Sequence, residues 1–120
     1  MKDFTSLIVF PSTTLLEAAK VIQANAARTA VVVQDSDRYK IVGIVTEGDI
    51  LRAMLRNVDI HAPVAEHMKI EFSYLQSEDW EQAACLFASR GFCLIPIVNK
   101  AMELQSVMTV NDYLRRQIPS

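Results

Sequence analysis

Apolar residues gather in short bursts along this chain, and their spacing alternates between the periods of strands and helices. Residues 6–10, Ser6-Leu-Ile-Val-Phe10, form a short apolar run ended by Pro11, which predicts a strand or extended segment. Thr14-Leu-Leu-Glu17 has the form of a capping box, in which the hydroxyl takes a free amide and the carboxylate reaches back. Leu15, Ala18, Ala19, Ile22 and Ala26 follow at helical spacing. Thr29 to Val33 is β-branched and apolar, as a buried strand is. Asp35, Ser36 and Asp37 mark a turn within Gln34 to Lys40, and Ile41 to Val45 reads as another strand. Thr46 then opens a helix running to about Asn57, a residue suited to a C-terminal cap.

The second half repeats this β-α-β-β-α order. Glu71 to Leu75 can form a strand, and Ser77 caps a helix with Trp80, Ala83, Ala84 and Phe87 on one face, the apolar face expected in the core. Gly91 ends that helix, Cys93 to Val98 and Leu104 to Met108 are strands, and Thr109 starts a final helix. The halves also match residue by residue. Ala18-Ala19 and Val33 meet Ala83-Ala84 and Val98 at an offset of 65, while Thr46, Asp49, Leu51 and Arg52 meet Thr109, Asp112, Leu114 and Arg115 at an offset of 63. Copies of about 50 residues are too small to be comfortable alone, so they should pack together. The expected fold is α/β, two pseudo-twofold-related repeats forming one module. Residues 1–60 and 61–120 are the repeats, and Arg56 to Met68, punctuated by Pro63, is the connection.

Composition narrows the function. Of 120 residues 51% are hydrophobic, enough for one real core and too many for disorder. The net charge of -2 offers no basic stripe for nucleic acid. Gly43, Gly48 and Gly91 stand apart, so no G-x-G-x-x-G or P-loop can form. Cys85 and Cys93 sit among apolar residues and read as buried thiols of a reducing compartment. The start, Met1-Lys2-Asp3-Phe4-Thr5, lacks signal-peptide shape, and no apolar run reaches the length of a membrane span; a cytoplasmic protein is expected. His61 and His67 have no third ligand at metal-site spacing, and no metal is expected. No nucleophile–base pair appears, so the chain does not read as an enzyme.

What remains is the doubled motif Thr46-Glu-Gly-Asp49 and Thr109-Val-Asn-Asp112, each between a strand and a helix. Two readings stay open. Thr at the N-cap with an acid three residues on is what a helix start wants in any protein. The same groups can also grip a polyol phosphate: free amides for an anion, a carboxylate for vicinal hydroxyls, and Arg52 or Arg115 for phosphate. Gly43 would let a ligand or neighbouring backbone approach its strand closely, and Gly48 would open space beside Asp49. The second copy carries Ser106 and Asn111 at those places, which makes the first half the better site.

Ile41-Val-Gly43-Ile-Val-Thr46-Glu-Gly-Asp49-Ile-Leu-Arg52 resembles the end of a CBS domain, named for cystathionine β-synthase. Val64-Ala-Glu-His-Met68 resembles that family's linker, and Ile95-Pro96-Ile97-Val98 its strand before the central turn. The resemblance implies a regulatory tandem pair that binds AMP, ADP, ATP or S-adenosylmethionine between the copies and requires no cofactor. It implies that Asp49 and Asp112 hold ribose hydroxyls, that Thr46 and Thr109 meet ribose or phosphate, and that Thr29-Ala30 and Leu94-Ile95 line the base pocket. It also implies a homodimer through helices bearing Leu51, Met54, Leu55, Tyr113 and Leu114, and an effector enzyme, fused or separate. The run from Thr46 through Asp59-Ile60 further resembles CBS pairs attached to sugar-phosphate nucleotidyltransferases and isomerases. A ligand-free dimerisation scaffold is the alternative, because Thr-x-x-Asp caps a helix whether or not anything binds.

Overall fold

The computed structural model describes residues 4–35 and 37–118; Met1–Asp3 and Ser36 of the expected turn fall outside them. The first repeat runs β1 (Ile8–Val9), α1 (Leu15–Gln23), β2 (Thr29–Val33), β3 (Ile41–Thr46) and α2 (Glu47–Leu55). The second runs α3 (Trp80–Arg90), β4 (Leu94–Val98), β5 (Leu104–Thr109) and α4 (Val110–Arg116). In the first sheet β2 is central, parallel to β1 and antiparallel to β3. In the second, β4 and β5 are antiparallel. The ladder slips at the same place in both, between Val32 and Val33 and between Ile97 and Val98.

Strand alternation decides where each side chain goes. Val31 and Val33 of β2 and Leu94 and Val98 of β4 face one shared core, completed by Phe4, Leu7, Ile41, Ile44, Leu104 and Val107. The opposite faces of the strands meet their own helices. Ala30 and Val32 pack with Leu15, Ala18 and Ile22 of α1 and Ile50 and Ala53 of α2, while Ile95 and Ile97 pack with Ala83 and Phe87 of α3. The pseudo-twofold relation appears in the backbone as well. The Ile41 amide donates to the Met102 carbonyl at 2.9 Å, and its counterpart Leu104 donates to Tyr39 at 2.9 Å. Tyr39 and Met102 themselves both take the left-handed conformation, at φ 54° and 63°.

Helix starts follow the sequence with one exception. The hydroxyls of Thr14, Thr46 and Thr109 accept the amides of Glu17, Asp49 and Asp112. Asn57, at φ 62°, closes α2 with its amide on the Met54 carbonyl, and Gly91, at φ 69°, stops α3. The exception is Ser77. The cap of α3 is Asp79, whose carboxylate takes the Glu81 and Gln82 amides, both at 3.1 Å, because an acid can satisfy two free amides at once.

Three further expectations are corrected. Thr5–Leu7 winds into a 3-10 turn that sends Phe4 and Leu7 into the shared core, leaving only Ile8–Val9 as strand. Glu71–Leu75 is not a strand: Leu75 alone bridges Ile97, donating to the Pro96 carbonyl at 3.0 Å and accepting from Val98 at 2.9 Å. Pro96 stands where Val31 stands in the first repeat, and without an N–H it cannot make the bond that would extend the pairing to Tyr74. Cys85 is exposed rather than buried, since it lies two residues from both Ala83 and Phe87 and so points off the apolar face of α3. Trp80 is half-buried at the edge of that face, stacked on Tyr113 with ring centres 6.3 Å apart and the Arg116 guanidinium 4.7 Å from its ring.

The connection returns to the first sheet. Ile44 and Lys69 exchange both backbone hydrogen bonds, at 2.9 and 2.8 Å, so residue 69 adds a short rung beside β3. Gly43 permits this: a Cβ there would sit 2.5 Å from Met68 Sδ and 3.0 Å from the Lys69 carbonyl oxygen. At Gly48 the nearest atom, on Arg52, would be an ordinary 3.5 Å away. We therefore expect Gly43→Ala to destabilise the protein by about 1–3 kcal/mol through overpacking. Gly48→Ala should be neutral or gain up to about 1 kcal/mol in helix propensity. Urea denaturation of both variants checks this, and equal effects would contradict the packing account.

Candidate functional site

The rung at Lys69 leaves a cleft between the repeats. Its volume is about 710 Å³, within the range of small-molecule sites. The first repeat contributes Arg28 and Thr29 at the start of β2, Ile44 and Thr46 from β3, and Glu47 and Gly48 from the first turn of α2. Lys69, Glu71, Phe72 and Ser73 line it from the connection. Arg90 through Leu94 close it from the end of α3 and the start of β4. Three cations, two carboxylates and two phenyl rings thus share one opening.

Of the residues expected at a site, Thr29, Thr46 and Leu94 meet in this cleft. Ala30 and Ile95 alternate away from it, into the helix-side cores. Asp49 lies behind the cleft wall, its side chain 6% exposed. Its Oδ2 accepts the Thr46 amide at 2.9 Å and the Thr46 hydroxyl at 3.0 Å, so Thr46 and Asp49 form a complete capping box. Its Oδ1 accepts Arg52 at 2.5 Å and Lys69 Nζ at 2.7 Å. Thr109 and Asp112 cap α4 in the second repeat, with the Arg115 guanidinium 3.9 Å from Asp112, and these three do not line the cleft. His61 is exposed and His67 half-buried in the connection, and no three His, Cys, Asp or Glu side chains cluster as metal ligands among the described residues.

Sequence reasoning passed over Arg28, Lys69, Phe72, Arg90 and Cys93. The first two and Arg90 carry no motif. Cys93 was read as a plain core thiol, and the structure leaves it half-buried at the cleft. One signal did point to Lys69: Gly43, a strand glycine that a neighbouring backbone could approach, as residues 68 and 69 do.

Residues 2–56 match the family model of the CBS domain. The chain superimposes on a CBS domain protein from Pyrobaculum aerophilum complexed with AMP, with a TM-score of 0.74 and 26% identity, covering 88% of this chain and 81% of that one. Residues 2–56 are a CBS domain, and the two repeats together have the fold of a CBS pair. The fold is shared with the CBS domain pair of a protein solved with 5′-methylthioadenosine and S-adenosyl-L-methionine, with a TM-score of 0.75 and 20% identity over 92% of this chain and 90% of that one. An uncharacterized 17.7 kDa protein of Acidianus ambivalens is 32% identical over 110 residues, 90% of this chain, and the chain spans 65% of its length. No helix among the described residues of the CBS pair is long and apolar enough to cross a membrane.

In this CBS pair the charge of Asp49 is set by opposing effects. Burial pushes its carboxyl up. The hydrogen bond from Lys69, the Thr46 amide and hydroxyl, and the Lys69 charge together outweigh burial, so the group is held below its ordinary value of 3.8. The carboxylate therefore contributes stability above that ordinary value, and the contribution is lost as pH falls through the lower folded one. Removing Lys69 takes away the largest lowering influence. Lys69→Met should raise the Asp49 pKa and move the acid unfolding midpoint to higher pH, measured by circular dichroism. Lys20→Met, which breaks the exposed 3.7 Å pair with Glu17, should leave that midpoint in place.

Proposed function

We propose that this CBS pair is a regulatory ligand-sensing module that takes an adenosine-containing nucleotide, such as AMP, ADP, ATP or S-adenosylmethionine, in the cleft between its repeats. One observation carries the reading: the walls of the 710 Å³ cleft come from both halves, so one ligand touches both and favours one arrangement of them. The AMP bound by the Pyrobaculum aerophilum protein, and the 5′-methylthioadenosine and S-adenosyl-L-methionine bound by the other pair, support this choice of ligand. Under this reading Asp49 holds ribose hydroxyls, Thr46 meets ribose or phosphate, and Thr29 and Leu94 border the base. Arg28, Lys69 and Arg90 supply positive charge for phosphate. Thr109, Asp112 and Arg115 are the matching set for the second repeat. No reaction is assigned to the module. Its output is conformational, read in the cytoplasm by an effector enzyme, fused or separate.

The reading extends to a homodimer. Leu51, Met54 and Leu55 on α2 and Leu114 on α4 are 53–74% exposed, more apolar surface than isolated helices of a monomer usually show. The competing reading is a ligand-free scaffold built on the same dimer. It is favoured by one fact, that every hydrogen-bonding position of Asp49 is already taken within the chain.

Thermal unfolding with a panel of AMP, ADP, ATP and S-adenosylmethionine separates the two. Ligand at 100 times its dissociation constant adds about 2.7 kcal/mol to stability, a rise of several degrees. The rise should shrink in Asp49→Asn, which keeps the side chain's shape. No rise with any of the four ligands would leave the scaffold. Sedimentation equilibrium should give a dimer in either case, and Leu51→Glu with Leu55→Glu should give a monomer.

A further inference from the structure

A carboxylate offers about four lone-pair positions. Asp49 has filled them: the Thr46 amide and hydroxyl on Oδ2, Arg52 and Lys69 on Oδ1. No position is left for a vicinal diol unless a donor leaves. Three of the four donors belong to Thr46 and Arg52, within one turn of Asp49 itself. Lys69 comes from 20 residues away. It is also the one donor of the two on Oδ1 that lines the cleft. Its main chain is fixed to Ile44 by two hydrogen bonds, and Gly43 leaves no slack beneath it. Its side chain remains 46% exposed, a four-carbon stem free to turn.

We propose that Lys69 is a displaceable internal counterion, which makes negative charge on the ligand a condition for reaching Asp49. The proposal rests on the nucleotide reading for its choice of ligand. An anion entering the cleft attracts the ammonium group, which leaves Oδ1 for the anion and uncovers the carboxylate. A ligand with a phosphate and a vicinal diol then uses both: phosphate takes Lys69, and one hydroxyl of the diol takes the single position Lys69 has left on Oδ1. An uncharged nucleoside offers nothing to draw the lysine away and meets an occupied seat. S-Adenosylmethionine has a sulfonium where AMP has its phosphate and carries its carboxylate at the far end of the methionine chain, so it offers Lys69 no anion at the 5′ position and is disfavoured. The ligand class is a 5′-phosphorylated nucleoside.

Calorimetric titration of the full chain with AMP and with adenosine tests this. The wild type should favour AMP by at least about tenfold. In Lys69→Met, AMP should weaken and adenosine tighten, cutting the preference by at least about threefold, with Arg28 and Arg90 keeping the remainder. Lys69→Arg keeps the charge and should keep the preference. The carboxyl carbon resonance of Asp49 gives a second readout, followed by NMR as inorganic phosphate is added. It should shift in the wild type and in Lys69→Arg, and stay still in Lys69→Met. An unchanged preference in Lys69→Met, or an Asp49 resonance in the wild type that ignores both AMP and phosphate, overturns the proposal. If neither nucleoside binds while phosphate still moves Asp49, the nucleotide reading falls and the counterion stands.

Discussion

Two strands in this protein are buried on both faces, and the rest of the architecture answers to that. All five residues of β2 and all five of β4 are buried. A strand of a two-layer α/β unit can cover one face with its own helices, but the other face must find cover elsewhere. Here each sheet covers the other. Fully burying a valine or leucine is worth about 1.5–3 kcal/mol, and Val31, Val33, Leu94 and Val98 all place their side chains in the shared layer. Neither half can keep that contribution alone. The reciprocal bonds Ile41 to Met102 and Leu104 to Tyr39, at the starts of β3 and β5, fix the register of the two halves across this layer. The cleft lies at the end of the same seam, so whatever occupies it acts on the packing that holds the halves together.

Much of this was legible in the residues. The β-branched run Thr29–Val33, the capping threonines and the alanine pairs Ala18-Ala19 and Ala83-Ala84 follow from local propensity and periodicity, and the structure keeps them. The errors occur where a distant part of the chain decides. Glu71–Leu75 has the composition of a strand, but its partner presents a proline. Ser77 is a sound cap until Asp79, two residues on, offers one oxygen to the Glu81 and Gln82 amides and the other to the Gln82 side chain. Lys69 could not be found by any local rule, because its place is set by backbone pairing with Ile44, 25 residues earlier. Gly43 was the trace of that pairing. Of the pairs Thr29-Ala30 and Leu94-Ile95, strand alternation turns the side chains of Thr29 and Leu94 toward the cleft and those of Ala30 and Ile95 toward the helices.

The capping and ligand readings of Thr-x-x-Asp concern the same atoms. Oδ2 of Asp49 serves the helix and Oδ1 serves the two cations, so the cap can persist while the outer oxygen changes partner. A helix start built this way keeps its stability through an exchange of counterion. That division within one carboxylate would let a residue 6% exposed keep its cap while serving the exchange proposed above.

Pro96 has an effect beyond the strand it shortens. With its amide missing, the second sheet holds its outer segment by one bridge at Leu75, where the first holds β1 by two. The segment from Ile70 to Tyr74, much of it exposed, is therefore held at Lys69 and at Leu75, with Phe72 packed on the shared core between them. Local opening concentrates where hydrogen bonds are few and contacts thin. Native-state opening should then begin on this side of the molecule, and it would carry Glu71, Phe72 and Ser73 with it. Those residues form one wall of the cleft. The missing hydrogen of one imino acid thus leaves one wall of the cleft held by its two ends, without a ladder between them.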